Sequence, residues 1–320
     1  MISAEERVPP EQVRSADVIC SRGIGLGRSG RQEEALRCFE EAILLDPSHI
    51  RSWIGKGFTL GKLGRYEEEI ACCDRAISID PASAEAWIAR GFALGKLGRL
   101  QEKLACCEEA IALDPGSAEA WNQMGMVLGM LGRYEDEIRC CDRALELRPR
   151  YIGAWINRGY ALGRLKLHHE EIASYNKALA IFPRYVSALV NKGIALCAIE
   201  KYGEAVDCFS KASEIEPESA RIWYWKGIAL SRTGLYNEAI DCIERSLAFD
   251  DRNADAWVVL SNCLFMSGRL EASARCFRTA FDIDAQDVNV RLVRGVSLFK
   301  GGKFDEALQC FSQIFGILLR

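Results

Sequence analysis

The chain has 320 residues, 49% hydrophobic and 27% charged, with a formal net charge of −4. Its 41 basic residues stand against 45 acidic ones, so it has no general positive field of the kind that drives nucleic-acid binding by phosphate neutralisation. No run reaches the roughly 18 consecutive apolar residues of a membrane span, and Met1 to Ser15 is polar with two prolines, unlike a signal peptide. These features predict a cytoplasmic protein with neither nucleic-acid binding nor membrane insertion, and its 14 cysteines are expected to be reduced.

Residues 1–15 read as a flexible N-terminal segment, after which the chain is periodic. Six of the seven tryptophans share a step of 34 residues: Trp53, Trp87, Trp121, Trp155, Trp223 and Trp257, with Leu189 in the gap. Glycine four residues later keeps the step from Gly23 to Gly227 and again at Gly295, broken by Ser261. The prolines from Pro47 to Pro217 obey it as well. Nine units follow in register, starting at Ala16, Ile50, Ala84, Ala118, Ile152, Val186, Ala220, Ala254 and Val288. A period of this length signals a repeat architecture.

Within a unit, apolar positions recur three and four apart on both sides of a glycine, as in Trp53, Gly57 and Leu60, then Gly64, then Tyr66, Ile70, Cys73 and Ile77. This is the pattern of two amphipathic helices. Gly64 lets the first stop and Asp80-Pro81 ends the second, because proline disfavours helix in the residue before it.

Trp at repeat position 4, Gly at 8, Leu at 11, Gly at 15, Tyr at 17, Ala at 20 and 27 and Asp-Pro at 31 and 32 resemble the tetratricopeptide repeat over Ala16 to Arg320. The resemblance implies an all-α fold, a right-handed superhelical α-solenoid of stacked antiparallel helix pairs, as a single domain over residues 16–320. Two departures stand out. Position 20 carries Glu69, Lys103, Glu137 and Glu171 in the second to fifth units, and in the first three of these position 24 shrinks to Cys73, Cys107 and Cys141. We expect volume exchange between positions 20 and 24, and a ladder of Glu69, Lys103 and Glu137 between repeats. The ninth unit ends at Arg320 without the polar helix that caps such arrays, leaving Ile314, Phe315, Ile317, Leu318 and Leu319 on its last helix. Either the natural chain continues or this end docks on another subunit, making a homo-oligomer.

The chemical motifs have plain structural explanations. Cysteine recurs at position 23 from Cys38 to Cys310, but helix axes in stacked hairpins lie about 8 to 10 Å apart, too far for disulfides, whose Cα atoms come within about 7 Å. Gly25 to Gly30 spells G-x-G-x-x-G, yet it lies across a helix end and not between a strand and a helix. His168-His169-Glu170-Glu171 reads as an irregular exposed turn, since a helical metal site wants ligands three or four apart. The only other histidine is His49, so no nucleophilic constellation is evident. The sequence therefore predicts no catalytic residues, no metal site and no cofactor.

Arrays that the chain resembles present positions 2, 5, 6, 9, 12 and 13 of their first helices to an extended peptide. Position 5 (Cys20, Ile54, Ile88, Asn122, Ile156, Val190, Tyr224, Val258, Leu292) and position 9 (Ile24, Phe58, Phe92, Met126, Tyr160, Ile194, Ile228, Asn262, Val296) make an apolar stripe. It is either open as a binding surface or packed against the next repeat. Position 13 adds Arg28, Lys62, Lys96, Arg164, Arg232 and Lys300, which favour acidic ligand groups. The family's clamp for a terminal carboxylate needs Lys at position 5 and Asn at 9, which Cys20, Ile54 and Ile88 with Ile24, Phe58 and Phe92 do not supply. Gln123, Asn157 and Asn191 at position 6 resemble the amide ladder of O-linked N-acetylglucosamine transferase, which holds peptide backbone. Trp225 follows them, beside Tyr224.

The expected peptide-binding residues are thus Lys62, Lys96, Gln123, Asn157, Tyr160, Arg164, Asn191, Tyr224, Trp225 and Arg232. The expected function is a non-catalytic protein-interaction scaffold taking an extended peptide or partner helix, with apolar and acidic residues, in an apolar, basic-edged groove. The alternative is an assembly protein that self-associates through its last repeat. A catalytic activity would require a further domain beyond Arg320.

Overall fold

The computed structural model describes residues 15–283, and among them every regular element is an α-helix. The chain divides into two compact units, Met1–Ala161 and Leu162–Arg320. The first unit holds α1 (Ala16–Arg28), α2 (Gln32–Leu45), α3 (Ile50–Lys62), α4 (Tyr66–Ile79), α5 (Ala84–Lys96), α6 (Leu100–Leu113), α7 (Ala118–Met130) and α8 (Tyr134–Leu147). The division falls inside α9 (Ile152–Arg164). The second unit continues with α10 (His168–Ile181), α11 (Val186–Ala198), α12 (Tyr202–Ile215), α13 (Ala220–Arg232), α14 (Tyr236–Phe249), α15 (Ala254–Met266) and α16 (Leu270–Ile283). Eight first helices begin on the residues that the 34-residue step predicts. Residues 1–14, the ninth repeat and the apolar residues of its last helix lie outside the described residues.

Local chemistry sets each boundary. Ser15, Ser83, Ser117 and Asn253 cap first helices by accepting a hydrogen bond from the backbone N–H three residues on, which satisfies one orphan donor of the first turn. The turn inside each hairpin needs a left-handed residue at position 15. Gly64 supplies it at φ 77°, whereas Lys166 and Glu200 adopt φ 61° with side chains in place, a strained state for a residue with a Cβ. Four second helices, α2, α4, α6 and α14, end on an aspartate whose carboxylate turns back on the chain, as when Asp46 Oδ1 accepts from Ser48 N at 2.9 Å and Asp114 Oδ1 from Gly116 N at 2.9 Å, whereas α8 and α10 end on Arg148 and Phe182.

Three side-chain devices then join one repeat to the next. The position 4 tryptophans donate their indole N–H to the carbonyl six residues back, Trp53 to Pro47 at 3.0 Å, Trp121 to Pro115 at 3.0 Å and Trp223 to Pro217 at 2.7 Å. Basic residues at position 7 pair with the acid at position 25 of the preceding unit: Lys56 with Glu40 at 2.9 Å, Arg90 with Asp74 at 2.7 Å and Arg158 with Asp142 at 2.7 Å. The alanines at position 27, from Ala42 to Ala212, are fully buried and let neighbouring helices close up.

Position 20 behaves differently from the expectation. Glu69, Lys103, Glu137 and Glu171 are buried, and each side chain lies over the glycine at position 12 of its own repeat. A Cβ on Gly95 would sit 2.9 Å from Lys103 Cδ and one on Gly163 2.6 Å from Glu171 Oε1, while Cβ atoms on Gly61 and Gly129 would overlap the Glu69 and Glu137 carboxylates. The long stem is thus accommodated by glycine at position 12, on the facing helix. The ladder between repeats does not form: Glu69 Oε2 and Glu137 Oε2 are buried without a hydrogen-bond partner, because each stem turns into its own hairpin. Burial pushes both carboxyls up to about 7 and pushes the Lys103 ammonium down.

Candidate interaction surface

In the first unit α1 touches α3, α3 touches α5 and α5 touches α7, and in the second α11 touches α13 and α13 touches α15. Among the described residues of either unit, successive second helices make no such contact. First helices therefore crowd together on one side of each stack, the side that carries positions 5, 9 and 13.

Position 5 is mostly packed. Cys20, Ile54, Asn122, Val190 and Val258 are buried, while Ile88, Ile156 and Tyr224 are half-buried. Position 9 is more open: Phe58 is 54% exposed, Phe92 38% and Tyr160 47%, while Ile24, Met126, Ile194 and Ile228 are half-buried. The two readings of the apolar stripe therefore divide by column. At position 13, Arg28, Lys62, Lys96, Arg164 and Arg232 are all exposed. Lys62 Nζ lies 4.9 Å from the centroid of the Phe58 ring and Lys96 Nζ 5.4 Å from that of Phe92, since residues four apart share one helix face and the ring face attracts a cation. Lys62 Nζ also reaches the Gly27 carbonyl of the preceding repeat at 3.4 Å.

The three amides are half-buried and differ in their surroundings. Asn157 Nδ2 donates to Asn122 Oδ1 at 2.9 Å, and Asn122 Nδ2 donates to the Tyr151 hydroxyl at 3.4 Å, so this amide ties repeat to repeat. Asn191 Oδ1 accepts from Arg221 Nη2 at 3.3 Å. Gln123 Oε1 is buried with no hydrogen-bond partner. Tyr224 and Trp225 meet edge to face at 5.6 Å, each resting against a core cluster, and burial pushes the Tyr224 phenol up to about 12.

One constellation imitates an active site. His49 places Nδ1 2.7 Å from Ser52 Oγ and Nε2 3.1 Å from Asp17 Oδ1. Ser52, however, is fully buried, out of reach of any substrate, and His49 is the residue that caps α3. The row joins a helix start to the preceding repeat. The His168 cluster is likewise helical and not an irregular turn: His168 opens α10, and its Nδ1 lies 2.9 Å from Glu171 Oε2. The thiols are free, and burial pushes Cys72 up to about 11 and Cys107 up to about 12, against thiolate chemistry. Among the described residues no group of three His, Cys, Asp or Glu is placed to hold a metal ion, and no helix is long and apolar enough to cross a membrane.

A feature that the sequence reading did not single out lies in the second unit. Between α14, α15 and α16 is a pocket of about 580 Å³, with Trp257, Leu260 and Leu264 in its wall and Glu244, Arg269 and Arg275 among its charged residues. Its sequence signal is a tryptophan repeat without a basic residue at either position 7 or position 26, where Leu260 and Thr279 stand; the fourth repeat has Met124 at position 7 but keeps Arg143 at position 26.

Sequence profiles described as Tetratricopeptide repeat match residues 72–105 and 106–139, and 24–49, 50–83 and 152–185, and one described as TPR repeat matches 193–234. Together these spans take in more than half of the chain, and two of them, 50–83 and 152–185, coincide with whole helix pairs. The chain belongs to the tetratricopeptide repeat family. In addition, a profile for Anaphase-promoting complex, cyclosome, subunit 3 matches residues 232–314, and one for the Protein prenyltransferase alpha subunit repeat matches 134–165. No curated protein matches the chain in sequence.

Other tetratricopeptide and related helical arrays share the fold. The structure titled APC/C hetero-tetramer Cut9-Hcn1 matches at TM-score 0.64 and 15% identity, covering 89% of this chain and 56% of that one. This chain therefore spans only part of that relative's length. A tetratricopeptide repeat protein from Parabacteroides merdae matches at 0.60 and 18% identity over 73% of this chain and 93% of that one. The pilF protein of Pseudomonas aeruginosa matches at 0.58 and 16% identity over 66% and 96%. In tetratricopeptide arrays the stacked repeats make extended binding surfaces, and the exposed aromatic and basic columns of this chain lie on its first helices.

Proposed function

We propose that this tetratricopeptide repeat protein is a non-catalytic interaction scaffold whose first-helix faces take an extended polypeptide segment bearing apolar and acidic residues. The observation that carries the reading is the repeated pair on the first unit: the exposed Phe58 and Phe92 rings, each with a lysine ammonium over it. Exposed aromatic rings are costly to leave in water and are frequent anchors at interfaces. The lysines above them attract carboxylates and speed encounter with an acidic partner. Tyr160 extends this surface on the first unit. On the second unit the proposed contacts are Arg164, Asn191, Tyr224, Trp225 and Arg232. Of the amides, Gln123 is a proposed contact to peptide backbone, whereas Asn157 contributes through its bond to Asn122.

Selection of a displayed peptide library on the purified protein tests this. The expected winners combine aromatic or aliphatic residues with Asp or Glu and lose at least about tenfold in affinity to a Lys62→Glu, Lys96→Glu variant, a loss of about 1.4 kcal/mol. Basic winners, or winners indifferent both to that variant and to Trp225→Ala, would overturn the reading.

A further inference from the structure

The position 4 tryptophan of the seventh repeat is flanked by two cations. In the seventh repeat Lys226 Nζ lies 5.2 Å and Arg245 Cζ 4.8 Å from the centroid of the Trp223 ring. These residues occupy positions 7 and 26. The other tryptophan repeats of the described residues have a basic residue at one or both of those positions: Lys56 and Arg75, Arg90, Arg143, and Arg158 with Lys177. The eighth repeat has Leu260 and Thr279 instead, and both line the pocket beside Trp257. The acid that the position 7 cation pairs with in earlier repeats, as Lys56 pairs with Glu40 and Arg90 with Asp74, is present here as Glu244. No ion pair among the described residues takes it.

We infer that the pocket between α14, α15 and α16 receives a lysine or arginine side chain from a partner polypeptide, which supplies in trans the cation that the other repeats carry themselves. The pocket volume of about 580 Å³ falls within the usual range for ligand sites. Leu247, Leu260 and Leu264 offer apolar surface to the methylene stem, which long basic side chains bury readily. The head then meets the Trp257 ring and the Glu244 carboxylate. Arg269 and Arg275 also line the pocket, and Arg269 Nη2 is held by Asn237 Oδ1 at 2.9 Å. Their charge calls for a carboxylate next to the entering cation. The partner motif is therefore a basic residue adjacent to an acidic one. The site is separate from the exposed aromatic and basic columns, so it stands or falls apart from them.

The test follows the indole N–H resonance of Trp257, assigned by its loss in Trp257→Phe, in the full chain. The probes are an acetylated, amidated Gly-Arg-Glu-Gly peptide and the same peptide with norleucine in place of arginine. The expected result is a saturable shift with the arginine peptide, at least about tenfold weaker with norleucine and with Glu244→Gln, and absent in Leu260→Arg, which restores the internal cation. Thr279→Lys serves the same purpose should Leu260→Arg fail to fold. No response to the arginine peptide, equal binding of norleucine, or undiminished binding to the self-filled variants would each overturn the proposal.

Discussion

The second to fourth repeats and the sixth and seventh build the same hairpin with opposite interior chemistry. In the second and fourth, a buried glutamate at position 20 folds over a glycine at position 12, with cysteine at position 24. In the sixth and seventh, alanine at position 20 is paired with Phe209 or Ile243 at position 24, both fully buried, and position 12 is Cys197 or Ser231. Volume is conserved by moving it from one column to another. The polar solution leaves carboxylate oxygens without partners, which costs stability; the apolar solution concentrates packing in one large side chain.

Truncation at position 24 separates the two solutions most strongly. Phe209→Ala removes a fully buried ring whose edge would lie 2.6 Å from a Cβ on Gly193, and is expected to cost about 3 to 5 kcal/mol. Cys141→Ala, at the same position of the polar type, removes one sulfur atom and is expected to cost roughly 1 kcal/mol. Urea unfolding of both variants checks the contrast, and equal losses would mean that position 24 is not where the two types differ.

The next effect is on pH dependence. The Glu69 and Glu137 carboxyls lie at about 7 in the folded chain against an ordinary 4.5, raised by burial. Between those values the folded state holds more protons than the unfolded one, so stability is greatest below about 4.5, falls as pH rises towards 7, and then levels. Exposed acids paired with arginine, such as Glu68 and Glu102, are held below the usual range by their partners and act with the opposite sign at lower pH. Glu69→Gln with Glu137→Gln is expected to flatten Tm between pH 5 and 7 and to raise stability at pH 8 by on the order of 2 kcal/mol per site. A double variant with the native slope would mean that the two carboxylates stay charged in the folded protein.

The helix pairs were legible because tryptophan, glycine and proline recur at one step, and each has a local consequence: an indole bond, a left-handed turn, a helix stop. All eight described first helices begin where that step places them. The direction of the position 20 stems was not legible. A glutamate repeated every 34 residues fits a ladder between repeats and a fold into its own hairpin equally well, and only the facing glycine at position 12 decides. The same holds for the candidate surface. Positions 5 and 9 are both apolar in sequence, yet position 5 is largely buried while Phe58, Phe92 and Tyr160 stay open. The amide column looked uniform, but Asn157 and Asn191 find partners through Asn122 and Arg221, residues whose placement depends on the repeat before or after.

Turn strain gives a smaller handle. Lys166 and Glu200 hold φ 61° where other repeats have glycine. Lys166→Gly and Glu200→Gly are each expected to raise stability by about 1 kcal/mol, the cost of a Cβ in the left-handed region less the extra chain entropy of glycine. Gly64→Lys should lose a similar amount. Thermal melts of the three variants measure it, and a fall in Tm for both glycine substitutions would show that the side chains of Lys166 and Glu200 make contacts worth more than the strain.

The indole bonds are expected to matter least, although they are the most regular feature of the chain. Trp121→Phe keeps most of the ring while removing the donor to Pro115 O, 3.0 Å away. Pro115 is exposed, so water replaces the lost partner and the cost should be about 1 kcal/mol or less. The sixth repeat already makes this substitution in kind: Leu189 fills the tryptophan position, is buried in the core cluster with Ile222 and Phe209, and its hairpin keeps the same helix lengths as the others. Apolar volume at position 4 is therefore sufficient for the hairpin. A loss from Trp121→Phe as large as that from Phe209→Ala, read by the same urea titration, would reverse that ranking and make the indole bond the principal tie between repeats.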